Sequence, residues 1–398
     1  MTHPLTVSAS HNASDKEAGE LWNWLLRQQG LAAGVKFHSV ADVAHAALGL
    51  HAARLPSPFA TVLARSHTPT VALSLFTPQV RAEVTTVRCM RKTLHTLPLP
   101  LATAAHAATL HFRERDALRA VTNAGVGLRS VARAIDAIAA LLADGPLFHR
   151  DIEARLIGPK RPLATIRLAL KLAWERGTLT YVNDTVGWNR ERRTFGLTAT
   201  LYPELDTTMD RRKATRELVL AYFDRYGPAT LKDVMWWSAL SRSAVTSAMA
   251  ESGREWVEVY APWCDAPMYL YRDRLDAFRA APAEERTTGV NFLAHEDVAL
   301  KAYFESRRRY LGALPARRAF NQIGEVLPTI VAGGQVVGTW AWDEAGHKVT
   351  TSLARGYSTP ELQGALTKQR RQLTTVLATG RAEHPRAARR LDSVLQPV

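Results

Sequence analysis

Twice in succession this chain spells three short helices followed by a pair of strands, and that repeated order restricts its fold more than any other feature. In the first instance Val131, Ile135, Ile138, Leu141 and Leu142 recur at helical spacing and stop at Asp144-Gly-Pro146. A short helix over 150–156 follows, then a break at Gly158-Pro159, then a helix over 165–176. There Ile166, Leu170 and Ala173 make the apolar stripe, Arg167, Lys171 and Arg176 point elsewhere, and Gly177 supplies the stop. Residues 179–182 and 194–197 read as strands, joined by a loop with Trp188, Arg190, Arg192 and Arg193. The second instance has helices over 214–225, 231–237 and 242–251, the last two capped at Thr230 and Ser241, then strands over 256–260 and 268–271. Three helices and a hairpin are the order of a winged helix, whose third helix enters the major groove while the hairpin reaches the backbone or minor groove.

The flanking segments are less regular. Leu21, Trp22, Leu25 and Leu26 form one helical stripe; Val40, Val43, Ala44, Ala47 and Leu48 form another after Ser39, and Arg54-Leu-Pro-Ser-Pro58 is expected to stop regular structure. Beyond 290, the runs 326–331 and 336–342 flank Gly333-Gly334 as a β-hairpin, which a strand over 348–353 joins. A basic helix over 359–377 and a frayed tail close the chain. The expectation is a helix-rich α+β protein with two winged helices, a first segment left open as a third and more elaborate copy, and a C-terminal β-hairpin extension. The domain ranges are 1–124 (elaborated), 125–208, and 209–398 (with the hairpin and basic helix).

Charge points to the partner. Lys and Arg number 51 against 37 Asp and Glu, a net charge of +14 over 398 residues. The excess is uneven: residues 1–50 are near neutral, whereas 155–193 hold nine basic residues against Glu175, Asp184 and Glu191. Arg307-Arg308-Arg309 with Arg317-Arg318, and the tail from Ala354, are further concentrations. Basic patches on predicted recognition elements fit double-stranded DNA. Cys89 and Cys264 are too few for a disulfide framework or a cysteine zinc site. No apolar run approaches the roughly 20 residues of a membrane span, and the N-terminus lacks the order of a signal peptide. The expected state is a cytoplasmic monomer with no membrane partner.

Four blocks then carry a resemblance. Met90-Arg-Lys-Thr-Leu-His95, Gly227-Pro-Ala-Thr230 with Asp233 and Trp236-Trp237-Ser238, Asn291-Phe-Leu-Ala-His-Glu-Asp297, and Val326-Leu-Pro-Thr through Val337-Gly-Thr-Trp340 stand in family order. The chain resembles the HTH-42 winged-helix family, which includes the AlkZ-like and YcaQ-like DNA glycosylases. The resemblance implies three tandem winged-helix domains in a C-shaped arrangement around duplex DNA, with the catalytic motif in residues 1–124. It also implies a DNA-repair hydrolase that removes bulky or crosslinking N-alkylated purines, without metal, cofactor or lyase step. The rival class is a non-catalytic winged-helix protein that recognises damaged or bent DNA, or a transcription regulator.

Such a reaction asks little of the enzyme, because a cationic alkylpurine is already a good leaving group; the sugar's positive charge must be stabilised and one water oriented. The resemblance implies a Gln-aliphatic-Gln or Gln-aliphatic-Asp triplet for this, and here the triplet is His51-Ala52-Ala53, altered at both polar positions. His51 can accept a hydrogen bond or act as a base near neutral pH, and Arg54 and Ser57 are near enough in sequence to restore polarity. His95 stands where the resemblance implies a pocket residue, so His51, Arg54 and His95 are the catalytic candidates. The DNA-binding candidates are Arg65, Arg88, Arg91 and Lys92, then Arg167, Lys171, Arg190, Arg192 and Arg193, then Arg307 and Arg308. The Gly333-Gly334 turn is expected to insert into the minor groove. Trp236-Trp237 is read as core, and Asp297 as the partner of an arginine or the cap of a turn.

Overall fold

The computed structural model describes residues 5–32, 34–183, 187–281 and 289–382. The expected frayed tail lies outside the described residues.

Helices and sheets are mixed throughout. The long helix Leu99–Asn123 ends at Gly125, whose φ of +65° suits glycine, and the first unit begins there. Helices Leu128–Leu141, His149–Leu156 and Leu163–Glu175 precede strands Leu179–Asn183 and Arg193–Leu197. Ile166 and Ala173 are completely buried and Leu170 nearly so, as their spacing requires. The second unit has helices Arg211–Tyr226, Leu231–Ser238 and Arg242–Ala250, then strands Trp256–Ala261 and Cys264–Tyr271.

The sheets join these units. Strands Val84–Arg88 and Leu94–Pro98 form a hairpin whose Thr86 pairs with Tyr181, so one six-stranded sheet runs from Leu50–His51 to Leu147–Phe148 across the first two segments. The N-terminal strand Val7–Asn12 pairs in parallel with Trp256–Ala261, within the last segment. The expected C-terminal hairpin is a four-stranded sheet: Val290–Leu293 adds to one edge of Thr329–Ala332 and Gln335–Asp343, and Lys348–Leu353 to the other. Helix Pro360–Thr379 packs on it through Leu366, Leu373, Val376 and Leu377.

One local reading changes. Arg54-Leu-Pro-Ser-Pro58 does not end regular structure: Pro56 opens helix Pro56–Arg65, since a proline in the first turn forfeits no helical hydrogen bond. Asp233 has more than a cap to serve. It completes a capping box with Thr230, and its carboxylate also accepts the backbone N–H groups of Phe304, Glu305 and Ser306 and the Ser306 hydroxyl. That anchors the turn after helix Val298–Lys301 to the second unit. Tyr222, Tyr226 and Tyr303, all fully buried, donate their hydroxyls to the carbonyls of Ala302, Ala47 and Tyr226, and the Tyr226 bond ties the first segment to the last. Among the described residues no helix is long and apolar enough to cross a membrane.

Candidate active site and nucleic-acid interface

After helix Val40–Ala46 the chain turns through Gly49 at φ +100°, where a Cβ would lie 2.1 Å from the Leu97 side chain. Only glycine fits so close an approach. The turn leads into the two-residue strand Leu50–His51, which pairs His51 with His95. The two imidazoles, 4% and 6% exposed, meet edge-on with centroids 5.3 Å apart. Ala52 is half-buried, while Ala53 and Arg54 face solvent.

Beneath this turn lies a cluster of charge that sequence reasoning missed. Glu296, at φ +57°, ion-pairs with Lys301 and accepts the Val326 N–H at 2.5 Å. His51 Nε2 is 3.8 Å from Glu296 Oε2, too long for a hydrogen bond, and neither ring nitrogen has a partner. Lys301 has already neutralised the carboxylate. Burial, reinforced by Lys301 and other nearby cations, therefore pushes His51 down to about 3. Burial does the same to His95, also about 3, whose Nδ1 lies 3.6 Å from the Cys89 sulfur. Both imidazoles are neutral at physiological pH, so neither is a proton donor, and both are weak bases.

A second, more exposed layer sits at the rim. Arg54 Nη2 reaches Glu325 Oε2 at 3.2 Å, and His295 Nε2 lies 3.5 Å from the same oxygen. Asn321 Nδ2 also donates to Oε2, at 2.8 Å, leaving Oε1 with only a 3.4 Å contact to Arg54. Partial burial raises the Glu325 carboxyl, but the Asn321 hydrogen bond and the charges of Arg54 and His295 outweigh it and hold the group below the usual carboxylate range. Arg54 was expected to supply lost polarity itself; what it does is hold a carboxylate beside the Ala53 turn. Glu325 immediately precedes the Val326-Leu-Pro block, but nothing in its spacing linked it to His51. Trp236 completes the rim: Arg91 lies 3.7 Å over its ring and donates to its carbonyl at 3.2 Å, while Phe304 stacks on it at 4.9 Å. Trp237 is buried as expected, so only half of that pair is core.

The structure divides the basic residues. Arg91 and Lys92, both at positive φ in the turn Met90–Lys92, line an open groove with Arg115 and Arg211. Lys92 also pairs with Asp116. Arg192, Arg193 and Arg308 are exposed, Arg190 and Lys171 half-buried. Arg167 is exposed but held by Glu153 at 2.9 Å, and Arg307 lies over Phe304 and Phe320. Arg88 donates to Glu175 and to the Lys92 carbonyl, with about a quarter of its side chain exposed.

Two expectations are corrected. Arg65 is completely buried and bound by two parallel hydrogen bonds, 2.7 and 2.9 Å, to Asp297, so it cannot reach a phosphate. Its partner Asp297 does hold an arginine, and it also caps the next helix through the Ala299 N–H. The Gly333-Gly334 turn does not project for groove insertion either. The Gly334 carbonyl accepts the Trp22 indole N–H at 2.9 Å, and a Cβ there would lie 2.8 Å from Leu26, so the turn is docked on helix Asp15–Gln28.

Comparison with solved structures finds the DNA glycosylase AlkZ of Streptomyces sahachiroi, at a TM-score of 0.72 and 20% identity over 91% of this chain and 97% of that one. At that identity the likeness establishes the fold. No curated protein matches. The family model "DNA glycosylase AlkZ-like" matches residues 44–379, which include the His51 turn, the Glu296–Lys301 cluster and the Glu325 rim. The buried, neutral histidines and the tethered Glu325 carboxylate fall within the matched residues, and the chain belongs to the AlkZ-like DNA glycosylase family.

Proposed function

We propose that this glycosylase removes bulky N-alkylated purines, including crosslinking adducts, from duplex DNA by hydrolysis of the N-glycosidic bond. The observation that carries the reading is the Glu325 carboxylate held by Arg54, His295 and Asn321 beside a turn whose own polar side chains are gone. The C1′–N bond breaks with its electron pair leaving on the already cationic base, which departs neutral. Water adds its oxygen to C1′ and passes its proton to the carboxylate. A strong base is unnecessary, because a water bonding to an oxocarbenium carbon becomes strongly acidic. An anion held by hydrogen bonds from Arg54 and Asn321, with His295 beside it, is enough to stabilise the sugar and orient the water. Neutral His51 and His95 back the turn, and the Glu296–Lys301 pair beneath adds little net charge.

In this reading the protein works as a cytoplasmic monomer without metal or cofactor, its three winged helices set in a C around the duplex. Arg91, Lys92, Arg192, Arg193 and Arg308 contact phosphates. Single-turnover incubation with duplexes carrying N7-alkylguanines of several sizes tests it, and released base is expected. Binding without release across all sizes would support the rival, a damage-recognising protein without chemistry. Glu325→Gln is expected to slow release about 100-fold.

A further inference from the structure

Beside the rim stands a loop that the chemistry above does not use. Phe320 and Val326 pair across its base, and residues 321–325 form its tip. Ile323 there is 77% exposed, the highest among the exposed large hydrophobic side chains of the described residues. A single exposed aliphatic residue is ordinary on a protein surface. Leu128 and Ile157, 59% and 54% exposed, are of that kind, one opening a helix and the other following one.

Ile323 differs in how it is held. The Asn321 carboxamide oxygen accepts the N–H groups of Ile323 at 3.1 Å and Glu325 at 2.9 Å, and the Asn321 and Glu325 backbones bond across the loop at 3.0 Å. Gly324, at φ +79°, brings the backbone against Trp236, where a Cβ would lie 3.6 Å from the indole. Arg54 pins Glu325 from a third side. Around the apolar tip stand cations: Arg54 beside Glu325, and Arg307 lying 4.5 Å over Phe320 at the loop base. An aliphatic side chain on a braced loop between arginines matches one kind of surface, a stack of bases flanked by phosphates. Insertion of such a side chain between base steps unstacks them and kinks the duplex. It also fits the position, because Glu325, two residues on, faces the reaction.

We infer that Ile323 is a wedge that enters the base stack of duplex DNA at the lesion, opening it so that the sugar reaches Glu325. The wedge accounts for how Glu325 gains access to C1′. It rests on the family's DNA chemistry and not on which purine adduct is removed.

The test uses the full chain and a duplex with 2-aminopurine next to a stable abasic analogue, whose fluorescence rises on unstacking. Wild-type protein is expected to raise the signal on binding, and Ile323→Ser to abolish the rise with the melting temperature unchanged. Ile323→Leu should keep it. Where an alkylated substrate is cleaved, Ile323→Ser should slow single-turnover release at least about tenfold. Wild-type binding with no fluorescence rise overturns the wedge, as does an Ile323→Ser rise and rate within twofold of wild type. A wild-type rise without release from any alkylpurine leaves the wedge standing and defeats the glycosylase reading instead.

Discussion

Arg65 and Asp297 illustrate how a residue's neighbours decide what its charge is for. With both side chains fully buried, each is tolerable only because the other is there. Asp297→Ala, which leaves the guanidinium without its anion, is expected to cost about 3–5 kcal/mol in denaturant unfolding. A loss within 1 kcal/mol would mean the pair does not hold the first segment to the last. The buried histidines make a different contribution. His51, His95 and His106 each sit near 3, chiefly through burial, whereas an unfolded chain takes up their protons at about 6.5. The unfolded state binds more protons as pH falls below 6.5, so the stability these groups lend is fully present above that value and is lost progressively toward 3. Urea midpoints measured from pH 7.5 to 4.5 should fall steadily, and a flat profile would show that the imidazoles are solvated. Because His51 backs the turn that sets Arg54 against Glu325, His51→Ala is expected to lower the single-turnover rate about tenfold, and an unchanged rate would show that the turn holds without it.

At the scale of elements, the docked Gly333-Gly334 turn is the sharpest case. Gly334 at φ +76° abuts Trp22 and Leu26, so Gly334→Val should strain the backbone and collide with helix Asp15–Gln28, lowering stability by about 2 kcal/mol or more in thermal melts. Retained stability would mean the turn is free after all. The same turn shows where legibility stopped. Helices Leu163–Glu175 and Arg242–Ala250, their caps and both hairpins could be read directly, because periodicity, capping and turn chemistry are local. What the turn touches is 312 residues away in sequence, and no local pattern records it. Likewise Arg65 looks like any basic helix end until Asp297 is opposite it. His51 was legible from the triplet's position, whereas Glu325 and Lys301 were not, since they reach the site from another segment.

Across the whole molecule the +14 charge resolves into residues that serve the fold and residues that face solvent. Among the described residues Arg65, Arg113, Lys301 and Arg309 are buried, but so are Glu175, Asp233, Glu296 and Asp297, so the buried charges cancel and the excess stays at the surface. The exposed wing residues Arg192 and Arg193 are expected to contribute: replacing both with Ala should reduce the salt slope of duplex binding by about 2. An unchanged slope would remove that loop from the interface. The parallel pairing of Val7–Asn12 with Trp256–Ala261 acts at this scale too, and it has a cost in time. A ribosome adding about 5–20 residues per second needs on the order of 12–50 s to travel from the first of these strands to the second. Throughout that interval the strand's backbone groups await a partner not yet made. Strand Val7–Asn12 therefore settles only after Trp256–Ala261 has been made, and it must be kept from pairing elsewhere until then.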